Sequence, residues 1–167
     1  MRKIILTLAI FLLYNSNLYS FNGINRKYSF PGIGEFYSFL FRAEGRKLGV
    51  DPRILASICY VESKWNPRAL NKVDGKTSSY GLCQIKLETA RSVGFKGSSK
   101  DLFKASVNIH FAGLYYKAKL LKYRGNEFCA IAAYNAGACR YAFSGKILNN
   151  KYVKKVTKSF EKMLDVF

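Results

Sequence analysis

Two of the chain's three prolines bracket one short segment and limit what it can become. Asp51-Pro52 places an acidic residue where a helix N-cap is needed, followed by proline at the first helical position, where a missing N–H costs nothing. Asn66-Pro67 closes the segment, because the residue before proline is pushed out of the helical region. Between the brackets Ile54, Leu55, Ile58 and Val61 recur at helical spacing. The result is a helix with one apolar face to bury, carrying Glu62 and Ser63 at its far end.

The same period recurs along the chain. From Ile33, Phe36, Phe39, Leu40 and Leu48 fall to one side, with Glu35, Arg42, Arg46 and Lys47 elsewhere, and Gly49 ends the helix. A brief helix is expected around Leu87 to Val93, then a loop at 94–100. Asp101 is expected to cap a long helix reaching about Lys122. Arg124-Gly125-Asn126 breaks it, and Glu127 to Asn135 resumes helix. A last helix, about Asn150 to Leu164, sets Val153, Val156, Phe160, Met163 and Leu164 on one face. Lys151, Lys154, Lys155, Lys158 and Lys162 lie towards the other, which reads as a solvated surface. Residues 67–80 are polar and turn-rich. Asp74-Gly75 is a strong hairpin-turn pair, but its flanks Asn71-Lys72 and Lys76-Thr77 lack alternating apolar residues. The expectation is a mainly α, single helical domain with a long loop or small hairpin, and no internal repeat.

The N-terminus reads as an export signal. Arg2 and Lys3 precede an apolar run from Ile4 to Leu13, interrupted only by Thr7. Ten residues fall short of the roughly 20 needed to span a bilayer as a helix. A secretory leader over residues 1–20, cleaved after Ser20, fits the pattern, although Leu18 is a poor match two residues earlier. An uncleaved anchor is the alternative. Residues 21–167 then suit one domain with one core.

Formal charge is +18, or +16 without Arg2 and Lys3, so the surface should attract polyanions. Export and the lack of a compact Arg-rich stripe argue against nucleic acid. Cys59, Cys83, Cys129 and Cys139 have no CxxC pairing, and His110 is the single histidine, so no metal site is expected. An even count permits disulfides in three connectivities, and free buried thiols are equally consistent. His110, beside Phe111 on the long helix with no acid or serine motif around it, reads as structural.

Glu62 stands at a helix end before a polar loop, where desolvation beside Cys59 and Val61 would raise its pKa and keep a proton available. Trp65, three residues on, could wall such a pocket. The plain alternative is a surface acid paired with Lys64 or Arg68. Two later segments change that balance. Glu62-Ser63 is followed by Ser78-Ser79-Tyr80-Gly81-Leu82-Cys83-Gln84-Ile85 and then by Ala133-Tyr134-Asn135-Ala136-Gly137. Asp101-Leu102-Phe103, Asn108-Ile109, Gly113 and Tyr116 add to the set. In this order the segments resemble the catalytic domain of the soluble lytic transglycosylase family, relatives of goose-type lysozyme, over about Ile33 to Val153.

The resemblance implies a lysozyme-like fold with Glu62 as the single catalytic acid. It makes Ser63, Ser79, Tyr80, Gly81, Gln84, Tyr134 and Asn135 the substrate-binding or supporting residues, without cofactor or metal. It implies that the Tyr134 hydroxyl approaches the acid. Gly81 would let backbone pass close to the sugar. Two departures stand out: Cys83 replaces the family's usual methionine, and Ser78-Ser79 its Gly-Ala. The implied reaction cleaves peptidoglycan between N-acetylmuramic acid and N-acetylglucosamine, leaving a 1,6-anhydro end. Hydrolysis would need a second acid; Asp74 is the best placed, but Asp-Gly more readily serves a turn. Glu88 is expected to face solvent. A non-catalytic wall-binding or assembly protein on the same fold is the reading from a different class. The expected partner is peptidoglycan, acted on by a monomer outside the cytoplasm. Small size and the resemblance suggest service to an envelope-spanning secretion, conjugation or pilus apparatus.

Overall fold

The bracketed helix forms as its prolines dictate. The structure, a computed structural model, describes residues 35–73 and 77–164; the expected leader, its cleavage point and Asp74 lie outside the described residues. Helix α1 (Glu35–Leu48) precedes the bracketed helix α2 (Pro52–Ser63). Asp51 caps α2 by accepting from the Arg53 backbone N–H at 2.8 Å, and the Arg53 guanidinium returns to the same carboxylate at 2.6 Å. At the far end Lys64 and Trp65 both take left-handed conformations, so the chain has left the helix two residues before Asn66-Pro67. Residues Ile54 to Cys59 are all buried, which makes α2 the central helix.

Three strands follow, β1 (Leu70–Val73), β2 (Thr77–Tyr80) and β3 (Ile85–Lys86), in one antiparallel sheet. Leu70 pairs with Tyr80, Val73 with Thr77, and Tyr80 with Ile85. The small hairpin is therefore present despite its polar flanks. Its strands are held by backbone pairing, and Asn71 and Lys72 are exposed, so no apolar alternation was needed to form it. Helix α3 (Leu87–Ser92) comes next, then a 3₁₀ turn (Ser99–Phe103), α4 (Ala105–Lys122), α5 (Glu127–Ala136) and α6 (Asn150–Leu164). Asp101 does not cap the long helix. It closes the 3₁₀ turn, accepting from the Ser98 N–H at 2.9 Å and hydroxyl at 2.7 Å, while Lys104 adds an ion pair at 2.8 Å. Lys104 and then Ser98 hold its carboxyl well below the ordinary range.

Helices α1, α4 and α6 pack around α2, and α5 packs against α4 and α6. Phe41, Leu55, Ile58, Leu82, Ile109, Tyr116 and Val156 are fully enclosed in the core so formed. On α1 the buried side differs from expectation: Phe36 and Phe39 are 64% and 56% exposed, while Ser38, Phe41 and Leu48 point inward. Gly45 sets this choice. A Cβ there would stand 2.9 Å from both the Pro52 side chain and the Val50 carbonyl, so this face approaches its neighbours closely. His110 joins α4 to α1 through Glu44 at 2.6 Å, so an acid does lie against it, brought there by the fold from 66 residues away. Two disulfides form, Cys59–Cys83 and Cys129–Cys139. Among the described residues no helix is long and apolar enough to cross a membrane.

Candidate active site

Glu62 occupies the last turn of α2, partly buried. The Tyr152 hydroxyl, from the first turn of α6, donates to Glu62 Oε1 at 2.6 Å. Burial raises the Glu62 carboxyl above its ordinary value, against the lowering effect of hydrogen bonds from Tyr152 and Asn135. Tyr152 is itself driven far up, by burial first and then by the Glu62 charge, so it remains a neutral donor. Among the described residues Glu62 forms no ion pair with Lys64 or Arg68. The Lys64 ammonium lies over the Tyr60 ring, 3.9 Å from its centroid. The site thus holds a desolvated acid oriented by a phenol.

A raised carboxyl pKa has a definite stability signature. The neutral acid is tolerated below the unfolded-state pKa, and stability falls as pH rises until the folded-state group has ionised. Glu62→Gln removes that titration. Its melting temperature should therefore gain on the wild type as pH rises across the Glu62 titration, a trend that thermal melts in a pH series would read.

The loop after β2 is tied to the Glu62 end of α2 through Ser63, and its backbone is braced from four directions. Ser63 Oγ donates to the Leu82 carbonyl at 2.6 Å. Gln84, itself left-handed at φ 47°, donates its amide to the Gly81 carbonyl at 2.9 Å and the Ala69 carbonyl at 3.1 Å. Tyr134 donates to the Cys83 carbonyl at 2.9 Å. Fully buried Asn108 accepts from the Cys83 N–H at 2.8 Å and donates to the Tyr80 and Leu102 carbonyls at 2.7 Å each.

Three expectations gain detail here. The Tyr134 hydroxyl donates to the loop carbonyl and lies near enough to feel the Glu62 charge, while the phenol hydrogen-bonded to the acid is Tyr152. Gly81 also has an internal reason to be glycine: a Cβ would point at Asn108 and the Leu102 carbonyl, each 2.5 Å away. Trp65 is buried in the core and donates its indole N–H to the Ala56 carbonyl at 2.8 Å, so it packs over α2. Ser79 is buried in β2, and Tyr80 stands edge-on to Phe103 at 5.6 Å, on the sheet side of the loop. Asn135 is exposed, bonded by the Asn149 amide at 2.9 Å, and reaches Glu62. Sequence reasoning missed Tyr152. Its one visible signal was an aromatic hydroxyl beside Val153 and Val156, at the edge of the apolar face of α6.

A sequence model described as "Transglycosylase SLT domain" matches residues 39–157. The chain belongs to this family. Within the SLT family it is 30% identical over 102 residues to membrane-bound lytic murein transglycosylase F of Saccharophagus degradans, a match covering 58% of this chain and 19% of the relative. Its fold superposes on lytic transglycosylase Slt of Pseudomonas aeruginosa, solved as an inactive mutant. That match has a TM-score of 0.64 and 22% identity, over 77% of this chain and 24% of that one. The 70 kDa soluble lytic transglycosylase of Escherichia coli gives a TM-score of 0.61 and 24% identity, over 76% and 24% of the two chains. The described helices and small sheet are thus a lysozyme-like SLT domain, and the chain spans about a fifth of the curated relative's length.

Proposed function

We propose that this chain is a peptidoglycan lytic transglycosylase in which Glu62 acts first as acid and then as base. The observation that carries the reading is the Glu62 carboxyl, desolvated at the end of α2 and bonded by Tyr152. Protonated Glu62 donates to the glycosidic oxygen between N-acetylmuramic acid and N-acetylglucosamine. The substrate's N-acetyl group stabilises the positive charge at the anomeric carbon, a task that a second carboxylate performs in two-acid glycosidases. Ionised Glu62 then removes the proton from the muramic acid C6 hydroxyl, whose oxygen closes the 1,6-anhydro ring. The acid regains its proton and no water is consumed. Tyr152 holds Oε1 and so orients the carboxyl through both steps. General acid–base catalysis supplies about 10²–10⁴-fold, and orientation of the sugar supplies much of the rest.

Three other acids among the described residues are held in their own contacts. Glu44 bonds His110, Asp51 bonds Arg53, and Asp101 bonds Ser98 and Lys104. Peptidoglycan as substrate implies action outside the cytoplasm. Service to an envelope-spanning apparatus rests on the family resemblance, and normal assembly of such an apparatus in a deletion strain would count against it.

Mass spectrometry of sacculus digests tests the chemistry: anhydromuramic ends are expected, and reducing ends would mean hydrolysis instead. Tyr152→Phe should lower kcat by about 10–100-fold, the worth of one hydrogen bond to a charged group, with the domain still folded. Initial rates on purified sacculi, with circular dichroism alongside, would measure it.

A further inference from the structure

The sequence leaves its cysteines uncommitted, and the fold spends two of them at the centre of the site. Cys59 lies three residues before Glu62 on α2, and Cys83 lies beside Gln84. The two are joined, both fully buried, with Cα atoms 4.0 Å apart. The bond closes a ring of chain that contains Glu62, Ser63, the β1–β2 strands and Gly81. Tyr134 and Asn108 already fasten the backbone of Cys83 to α5 and α4. They hold the loop against the rest of the domain and leave its register against α2 to two ties, the Ser63–Leu82 hydrogen bond and this disulfide. Only the disulfide is covalent.

We propose that the Cys59–Cys83 bond is a positioning element of the active site, fixing the Glu62 end of α2 against the Gln84 loop, so that the folded chain reaches full activity only when this pair is oxidised. The proposal rests on the reading of Glu62 as the acid. Its physical basis is the steep penalty for misplacement: about 1 Å at a reacting group can cost on the order of 100-fold. Oxidation removes two protons and two electrons from the thiols as the S–S bond forms, and a disulfide-exchange partner takes up the electrons to become a dithiol. A chain still in a reducing compartment would therefore be held at low activity. The second disulfide, Cys129–Cys139, ties α5 to the segment after it and serves as the internal control.

The test compares wild type, C129S/C139S and C59A/C83A, each unfolded and reduced, then refolded either with glutathione disulfide or with dithiothreitol. Oxidised wild type and oxidised C129S/C139S should agree within about twofold. Reduced C129S/C139S and the C59A/C83A variant should fold by circular dichroism yet lose about tenfold or more in kcat, with KM changing much less. Reoxidation should restore C129S/C139S, and dithiothreitol should leave C59A/C83A unchanged. The alkaline limb of the rate profile should also move to lower pH in the reduced form. A loosened α2 end hydrates Glu62, whose facing groups are Tyr152 of α6 and Asn135 and Tyr134 of α5. A lower melting temperature with kcat and pH limb unchanged at low temperature would overturn the positioning role, as would failure of both thiol-free and reduced forms to fold. Oxidised wild type inactive on peptidoglycan would overturn the catalytic reading and this proposal with it.

Discussion

Glu62→Gln is expected to lower turnover on peptidoglycan by about a thousandfold, within the range that general acid–base catalysis contributes. The substitution keeps shape and removes only the exchangeable proton. The amide oxygen can still accept from the Tyr152 hydroxyl, so α2 and α6 stay docked. Binding to sacculi should survive, because the side chains bracing the Gln84 loop are untouched. Muropeptide release by wild type and variant, with co-sedimentation on intact sacculi, separates loss of chemistry from loss of binding. Equal release by the two proteins would remove Glu62 from the mechanism. Binding by both with release by neither would favour a wall-binding or assembly protein on the same fold.

Gly81→Ala is expected to destabilise the domain by about 3–5 kcal/mol. Two costs combine. Gly81 has φ +71°, a left-handed conformation that costs a residue with a Cβ about 1–2 kcal/mol. The new methyl would also sit 2.5 Å from the Asn108 amide and 2.5 Å from the Leu102 carbonyl. Neither can retreat cheaply: Leu102 is backbone, and Asn108 is committed to three hydrogen bonds with the loop and the 3₁₀ turn. Overpacking of this kind costs about 1–3 kcal/mol or more. For a domain of this size the melting temperature should fall by about 10 °C. Differential scanning calorimetry would measure it, and a loss under about 1 kcal/mol would mean that the loop has room to shift. Activity should fall too, because the displaced atoms are those that position Gln84.

Local signals were legible where local physics decides. Asp51-Pro52 fixed the start of α2, and the spacing of Val153, Val156 and Met163 gave α6 its observed span, Asn150–Leu164. The ordered motifs pointed to the fold and to Glu62. What escaped depends on neighbours distant in sequence. Apolar spacing on α1 allowed a face with Phe36 and Phe39, but the close approach at Gly45 selects the one containing Phe41. Asp101 carries a strong cap signal that is used one turn early, by a 3₁₀ turn. The cysteines offered three pairings, and only packing of the Cys83 loop on α2 chooses between them. The motif offered Tyr134 as the phenol for the carboxyl, and Tyr152 carried no such signal. Which phenol reaches it depends on how α5 and α6 dock on the core, a matter of a few ångströms that no spacing encodes.

The hydrogen bond between residues 62 and 152 joins positions 90 apart. The acid is made early in synthesis and its anchor late. A chain that contains Glu62 but not yet Tyr152 lacks the phenol that orients the acid, and that bond forms only when α6 docks. Docking of α6 is thereby the step that completes the orientation of Glu62.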